Sequence, residues 1–561
     1  MKQMKSNDLT NRQTRLYSII FATSCLALHC ITKNLYANVD NYTISIVTNR
    51  LYDADNYCVY LHPILCWIIG IISNILPQAD AFALLGRTLI WGAFVWLFYT
   101  VMKSQQKSFD KTLEILFLLF LSTALNIWNE NYTVQAAFFV FTGLVTLCSV
   151  GRKKRFGLLD TCIGTAFMCI GIMWRIQAAL LFIPFVLLEI VAGRICAEES
   201  GTDYWKNVKK AFGSVFLLFL ILVLSRSAVQ MSKEYNSSVV YDSARVKVQD
   251  YPMKEWKVVE NKLVGISQTE YDSAKSWILL DTETIDKDFL LRISVEGEST
   301  EFEWNIHGLI KGLKTMALTI WRSSKAVWIF LSVFLSVFLY AFFANQLWWR
   351  KLECVLAFVG TGVIILYYII LGRAPLRVWE SVIFAAMSIL IINLIFVEKH
   401  DIDKKCFAVL KVFVGLILCV GILRDVVTTD FSVPQLAINS RNNVDEQIFE
   451  ETFEGESLYF WDSWHANITQ YYMKQGKLPS EEFLQHNLSV GDWTYGQVYF
   501  ENHLKEVNAK NPAKALVERE NTYFVGKDNS FLLEYLQEHY NNDIEVKQYG
   551  EINNIPIWSF Q

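Results

Sequence analysis

Several things are scarce in this chain, and each scarcity excludes something. Its 561 residues hold 9 Pro and 26 Gly, which excludes a collagen-like repeat. There are 11 Cys, but none falls in the polar stretch 231–325 or after Cys419. Those stretches therefore carry no disulfide framework. Charge of one sign is missing too. With 51 Lys and Arg against 55 Asp and Glu, the net charge is −4, so no basic surplus is available for nucleic acid. No G-x-x-x-x-G-K-[ST] loop or dinucleotide glycine pattern occurs, and nucleotide handling is not expected. H-E-x-x-H and paired C-x-x-C metal signatures are absent.

What is present is apolar. Hydrophobic residues make up 53% of the chain and aromatics 14%. A mean hydropathy of only +0.26 nevertheless requires a large watery part beside any membrane part. A spanning helix needs about 20 mostly apolar residues. Runs of that kind lie near 16–36, 80–101, 112–129, 133–150, 157–175, 176–194, 211–230, 325–346, 352–371, 379–397 and 406–424. The expectation is a polytopic α-helical membrane protein with about eleven spans.

A twelfth apolar run, 61–77, decides the topology. Read as a span, it places Lys103–Lys111 and the basic cluster 152–155 outside, against the positive-inside rule. Read as a helix lying in the interface, it puts these, the N-terminus, Arg194, Arg350/Lys351 and Lys399/Lys404 on the cytoplasmic side. Lys33 and the lack of a small-residue cleavage site make the first run a span, not a cleaved signal. This map predicts a multi-pass protein of the plasma membrane with a cytoplasmic N-terminus. Its transmembrane domain covers 1–424, with external loops 37–79 and 231–324. A C-terminal external α/β domain covers 425–561. That last segment holds 9 Lys and Arg against 22 Asp and Glu, as suits a water-exposed module. Strands are expected at 457–462, 521–526, 543–550 and 555–560, with a helix at 530–540.

The first external loop carries the chemistry-bearing residues. Asp40 follows directly on the first span. Residues 42–51 are apolar at helical spacing and suit a second interface helix. Asp53 and Asp55 follow as D-A-D, and His62-Pro63 opens the run 61–77. Carboxylates at a membrane face are costly unless hydrated or paired, so three in sixteen positions mark a candidate acceptor or cation site. His62 fits a structural hydrogen bond better than catalysis.

With Asp40, His62-Pro63, Trp67 and Arg87 in this order, the loop resembles the first external loop of the GT-C class of membrane glycosyltransferases. Within it, the protein O-mannosyltransferase and aminoarabinose-transferase type is most similar. Two departures stand out: a single Pro at 63, and an acid flanked as V-D-N with no second acid beside it.

The resemblance implies transfer of a sugar from a polyprenyl-phosphate donor to a glycan, lipid or protein acceptor at the external face. Asp40 would then act as catalytic base. Arginines at external turns (Arg175, Arg373 and Arg377) and Arg87, just inside a span, would bind the donor phosphate. Tyr235, Asn236, Arg245 and Asp250 are candidates for a lid over the site. No nucleotide cofactor is expected, and a divalent cation at the site is left open. Three alternatives stay open: a lipid-linked glycan ligase or polymerase, a transporter, and an inactive envelope scaffold.

Overall fold

The computed structural model describes residues 16–20, 23, 39–49, 57–104, 131–152, 157–196, 201–298, 305–323, 325–345, 347–373, 375–395, 457–462, 481–526, 530–552 and 555–561. The spans expected at 112–129 and 406–424, and most of 16–36, lie outside these residues.

In chain order the first helices are α1 (Val39–Thr48), α2 (Pro63–Ile75), α3 (Ala81–Ser104), α4 (Tyr132–Arg152) and α5 (Leu158–Trp174). Next come α6 (Ile176–Cys196), broken by a turn at 181–182, then α7 (Gly201–Gln230) and α8 (Lys233–Gln249). They are followed by α9 (Gln268–Lys275), α10 (Lys287–Glu296), α11 (Ile306–Arg322), α12 (Lys325–Ala344), α13 (Trp348–Ile370) and α14 (Leu376–Ile395).

Among the described residues, six helices are long and apolar enough to cross a membrane. They lie in α3, α4, α6, α7, α13 and α14. Leu158–Trp174 and Phe330–Phe343 are apolar but shorter. The chain divides into two compact units, residues 1–34, 85–225 and 303–429 in one, and 35–84, 226–302 and 430–561 in the other.

In the helical unit α4 and α14 are mostly apolar, with no continuous polar face, and buried along nearly their whole length. A helix without a polar face belongs in a core. The α4–α5 pair is drawn together by small residues. A Cβ on Gly171 would lie 2.5 Å from the Val140 side chain and 2.8 Å from the Ala136 carbonyl. One on Gly143 would lie 2.7 Å from the Gly164 carbonyl. Without side chains at these points the two backbones approach closely, the usual way apolar helices pack when no water drives them together.

The second unit is built around a five-stranded sheet of order β2-β1-β3-β5-β4. Its strands are β1 (Leu458–Asp462), β2 (Asn487–Val490), β3 (Thr522–Val525), β4 (Val546–Ile552) and β5 (Ile555–Phe560). The first three run parallel, and β5 turns antiparallel against β3 and β4. Four strands fall where the alternation in the sequence placed them. β2 is too short and too polar to have stood out.

The sheet does not close a core alone. Leu458, Phe460 and Leu488 share one buried cluster with Tyr241, Val248, Tyr271 and Leu290 from the segment before α11. Asp281 fastens the two segments. It is buried, and it accepts hydrogen bonds from the Tyr540 and Tyr535 hydroxyls (2.8 and 3.1 Å), Asn511 Nδ2 (2.8 Å) and the backbone N–H groups of Glu283 and Thr284.

Candidate functional site

Asp40 stands in the first turn of α1, where a carboxylate meets the positive end of the helix dipole. It is half-buried, and its backbone carbonyl accepts from Thr43 Oγ1 at 3.2 Å. Residues 41–48 of α1 are buried on every face, polar residues included. That differs from an amphipathic helix lying flat on a membrane: Asn41, Ser45 and Thr48 face protein, not water.

Asn49 then pins the end of α1. It donates to Asp80 Oδ1 (3.2 Å), and its Oδ1 accepts from Ala81 N (2.9 Å). Its carbonyl accepts from Ser73 Oγ on α2 at 3.0 Å. Asp80 in turn accepts from Ala83 N at 3.0 Å and so caps α3. An acid directly before the apolar run AFALLG was the available signal for this cap.

His62 is buried at the N-cap of α2, where its Nδ1 accepts from Ile64 N at 3.2 Å. This is the structural hydrogen bond expected of it. α2 buries Leu65, Cys66 and Ile69, and leaves Ile64, Trp67, Ile71 and Ile75 exposed. A 13-residue helix with an apolar outer face is too short to span and suits an interface. Cys58 and Cys66 are buried free thiols, and burial pushes Cys58 up to about 12. Asp53 and Asp55 lie outside the described residues. Among those described, no group of three His, Cys, Asp or Glu is placed to hold a metal.

The four arginines belong to the helical unit, and helix geometry brings them to one end of it. Arg175 sits in extended backbone between α5 and α6. Its guanidinium lies over the Tyr132 ring, 4.6 Å from the centroid, and donates to the Tyr132 hydroxyl. In the layer below, Phe138 of α4 meets Phe94 of α3 and Phe384 of α14, at centroid distances of 4.7 and 5.8 Å. At about 1.5 Å per residue, Tyr132, Arg87 and Arg377 all lie roughly 9–11 Å back from that layer.

The helix directions agree with this placement. Thr100 and Thr146 meet at 3.4 Å, so α3 and α4 run the same way. α6 descends from Arg175 to Glu189, which accepts from Arg350 at the start of α13 (3.2 Å). α13 climbs back, so α14 descends from Arg377. Arg373 lies in the α13–α14 turn, closed by Gly372 at φ +76°. Arg373 N bonds the Tyr368 carbonyl and Gly372 N that of Ile369, the pairing of a Schellman C-cap.

The opposite end holds Lys103 with Asp160 (2.9 Å) and the buried group Arg350, Glu189, Glu353 and Asn393. These groups and the four arginines thus lie toward opposite ends of the bundle.

The proposed lid residues belong to α8, which is packed into the second unit. Arg245 is buried and bonds Asp242 Oδ1 (2.8 Å), the Tyr60 hydroxyl (3.0 Å) and Gln249 Oε1 (3.1 Å). Burial alone would lower its pKa, but Tyr60, Asp242 and Asp250 outweigh burial and keep it firmly charged. Tyr235 stacks on Tyr57 at 4.1 Å, Asn236 is exposed, and Asp250 ends α8 as its C-cap. Arg245 therefore clamps the first loop to α8. The i,i+3 pair Asp242–Arg245 was legible in the sequence, but its partner Tyr60, 185 positions away, was not.

The sheet reaches the same loop. Trp493 packs on Tyr60 (5.0 Å) and donates to Thr43 Oγ1 (2.7 Å), one turn after Asp40. Beside them lies a cavity of about 20 Å³, lined by Thr43, Trp461, Asn487, Thr494 and His503 among others. That is room for one water. Burial pushes the His503 imidazole down to about 3, so it is neutral.

No protein-family model and no curated protein sequence matches this chain. Among solved structures, it is similar to the Archaeoglobus fulgidus oligosaccharyltransferase. The apo form is 10% identical, with 95% of this chain and 69% of that one covered and a TM-score of 0.41. The form in complex with Zn and sulfate is 12% identical, with 95% and 68% covered and a TM-score of 0.39. Likeness at this level is below what fixes a shared fold.

Proposed function

We propose that the protein is an integral membrane glycosyltransferase that takes a sugar from a polyprenyl-phosphate donor. The observation that supports this reading is that Arg87, Arg175, Arg373 and Arg377 lie, by helix register, toward the same end of a bundle of membrane-length helices. Planar guanidiniums at the depth where a bilayer places its phosphates suit a lipid-phosphate leaving group. The order of Asp40, His62-Pro63, Trp67 and Arg87 in the first loop supports the same class.

In this reading Asp40 orients the acceptor hydroxyl and takes its proton as the C–O bond to the anomeric carbon forms. The donor C–O bond breaks on the opposite face, the anomeric centre inverts, and the phosphate leaves with its charge held by the arginines. The acceptor is a glycan, lipid or protein at the external face.

Asp40→Asn keeps the shape of the side chain and removes its basicity. Transfer of radiolabelled sugar from lipid-phosphate donor should fall by at least about 100-fold, the usual scale of a lost general base. Donor binding should be retained. A variant with undiminished transfer would overturn the role of Asp40. Undiminished transfer in Arg175→Ala and Arg377→Ala as well would overturn the reading itself.

A further inference from the structure

Helix α11 has a surface that the spans and the first loop do not explain. It is 17 residues long and carries His307, Lys311, Lys314 and Arg322 but no acid. It is therefore too short and too charged to span. At about 100° per residue its side chains sort into three arcs. Ile306, Leu309, Ile310, Leu313 and Trp321 form one apolar arc. The four basic residues form the next, with Leu318 among them. Gly308 and Gly312 form a narrow seam between them, and they are the helix's buried residues.

The apolar arc is open: Ile306 is 78% exposed, Ile310 60% and Trp321 52%. Such a face on a water-soluble surface would promote association. The seam fixes its depth. A Cβ on Gly312 would lie 2.8 Å from Leu366 and 3.4 Å from Ile370, at the last turn of α13, just before the Arg373 turn. That is the end of a membrane-length helix, at headgroup level. Ser323 then leaves helical geometry (ψ 158°), so α11 does not run on into α12.

We infer that α11 lies in the plane of the bilayer surface, with its apolar arc among the acyl chains and Lys311, Lys314 and Arg322 on the phosphates of acidic phospholipids. The uniform positive charge beside an open apolar arc is the complement of an anionic lipid surface. Each cation near such a surface favours acidic lipid by roughly fivefold. The inference rests on the chain being embedded in a bilayer, as in the proposed function, but not on any transfer reaction.

Hydrogen exchange on the full-length protein in nanodiscs tests it. One set of discs contains phosphatidylcholine alone, and the other adds phosphatidylglycerol. Amides of 309–321 should exchange roughly fivefold or more slowly with phosphatidylglycerol present. The triple variant K311Q/K314Q/R322Q should lose that difference. Equal rates for the unaltered protein in both discs, or a difference kept by the triple variant, would overturn the inference. I310D/L313D should speed exchange of α11 in both discs and leave α13 protected. No change in α11 would also overturn it. Unprotected α13 in the unaltered protein would instead refute the membrane embedding, and with it the proposed function. Mass photometry covers the remaining occupant: a dimer that I310D converts to monomer would mean a second copy, not lipid, covers this face.

Discussion

Two residues in the second unit tie its stability to pH. Burial raises the Asp281 carboxyl, but hydrogen bonds from Tyr540, Thr284 N, Asn511 and Glu283 N more than reverse this and hold it below its ordinary value. A depressed carboxyl stabilises the fold above its unfolded pKa, and that contribution is lost as pH falls through the folded one. His503 has the same sign. Its imidazole, held down to about 3 by burial, stays neutral in the fold while the unfolded chain takes up a proton below about 6.5. Stability should fall as pH drops from 6.5 toward 3, by about 1.4 kcal/mol per pH unit from His503 alone. Thermal unfolding at pH 7, 6, 5 and 4 measures this. His503→Gln should flatten the profile, and a variant curve parallel to the parent's would mean that His503 does not set the slope. Neither residue stood out in the sequence. Asp281 is one acid among 55, and what distinguishes it is the convergence of Tyr535, Tyr540 and Asn511 from more than 200 positions away.

At the scale of elements, periodicity marked what it can mark. Apolar runs gave α3, α4, α6, α13 and α14 nearly to their ends, because an unbroken apolar run of that length is stable only inside a bilayer or a core. His62-Pro63 opening the short helix α2 was also visible, since Pro63 and the apolar run after it are local signals. α1 read as a surface helix because half its residues are apolar, but its polar half is buried against Trp493, Asn49 and their neighbours. α11 went unread because its charges lowered the apparent hydropathy of a helix most of whose apolar residues share one side.

The α4–α5 contact yields an element-scale prediction. Gly171→Leu would drive a side chain into Val140 and the Ala136 carbonyl, with a cost of about 1–3 kcal/mol or more. A melting temperature lowered by several degrees in detergent is the expected result. Gly213, which has open space around it, should accept Leu without such a loss. Equal melting temperatures for the two variants would mean that α4 and α5 do not pack as closely as described.

For the whole molecule, charge counting located the three polar stretches but did not reveal that two of them share a core. The chain segments 226–302 and 430–561 place Tyr271, Leu290, Phe460 and Leu536 in one cluster. Long-range pairing of this kind leaves no periodic trace in either segment. The C-terminal segment 425–561, produced alone, should therefore stay unfolded. Circular dichroism should show little sheet, and proteolysis should be rapid. A cooperative thermal transition in that fragment would show that it holds its own core.

The shared core also sets a timetable for synthesis. Once residue 302 has been made, its segment still lacks Leu458 and every strand of the sheet. About 150 more residues must be added before β1 exists, and about 100 more before β5 joins β3 to β4. At about 5–20 residues per second, Tyr241, Val248 and Leu290 remain without their partners for roughly 10–50 s. During that interval apolar side chains stand exposed beside a growing chain. The cell must either shield them or degrade what fails to wait.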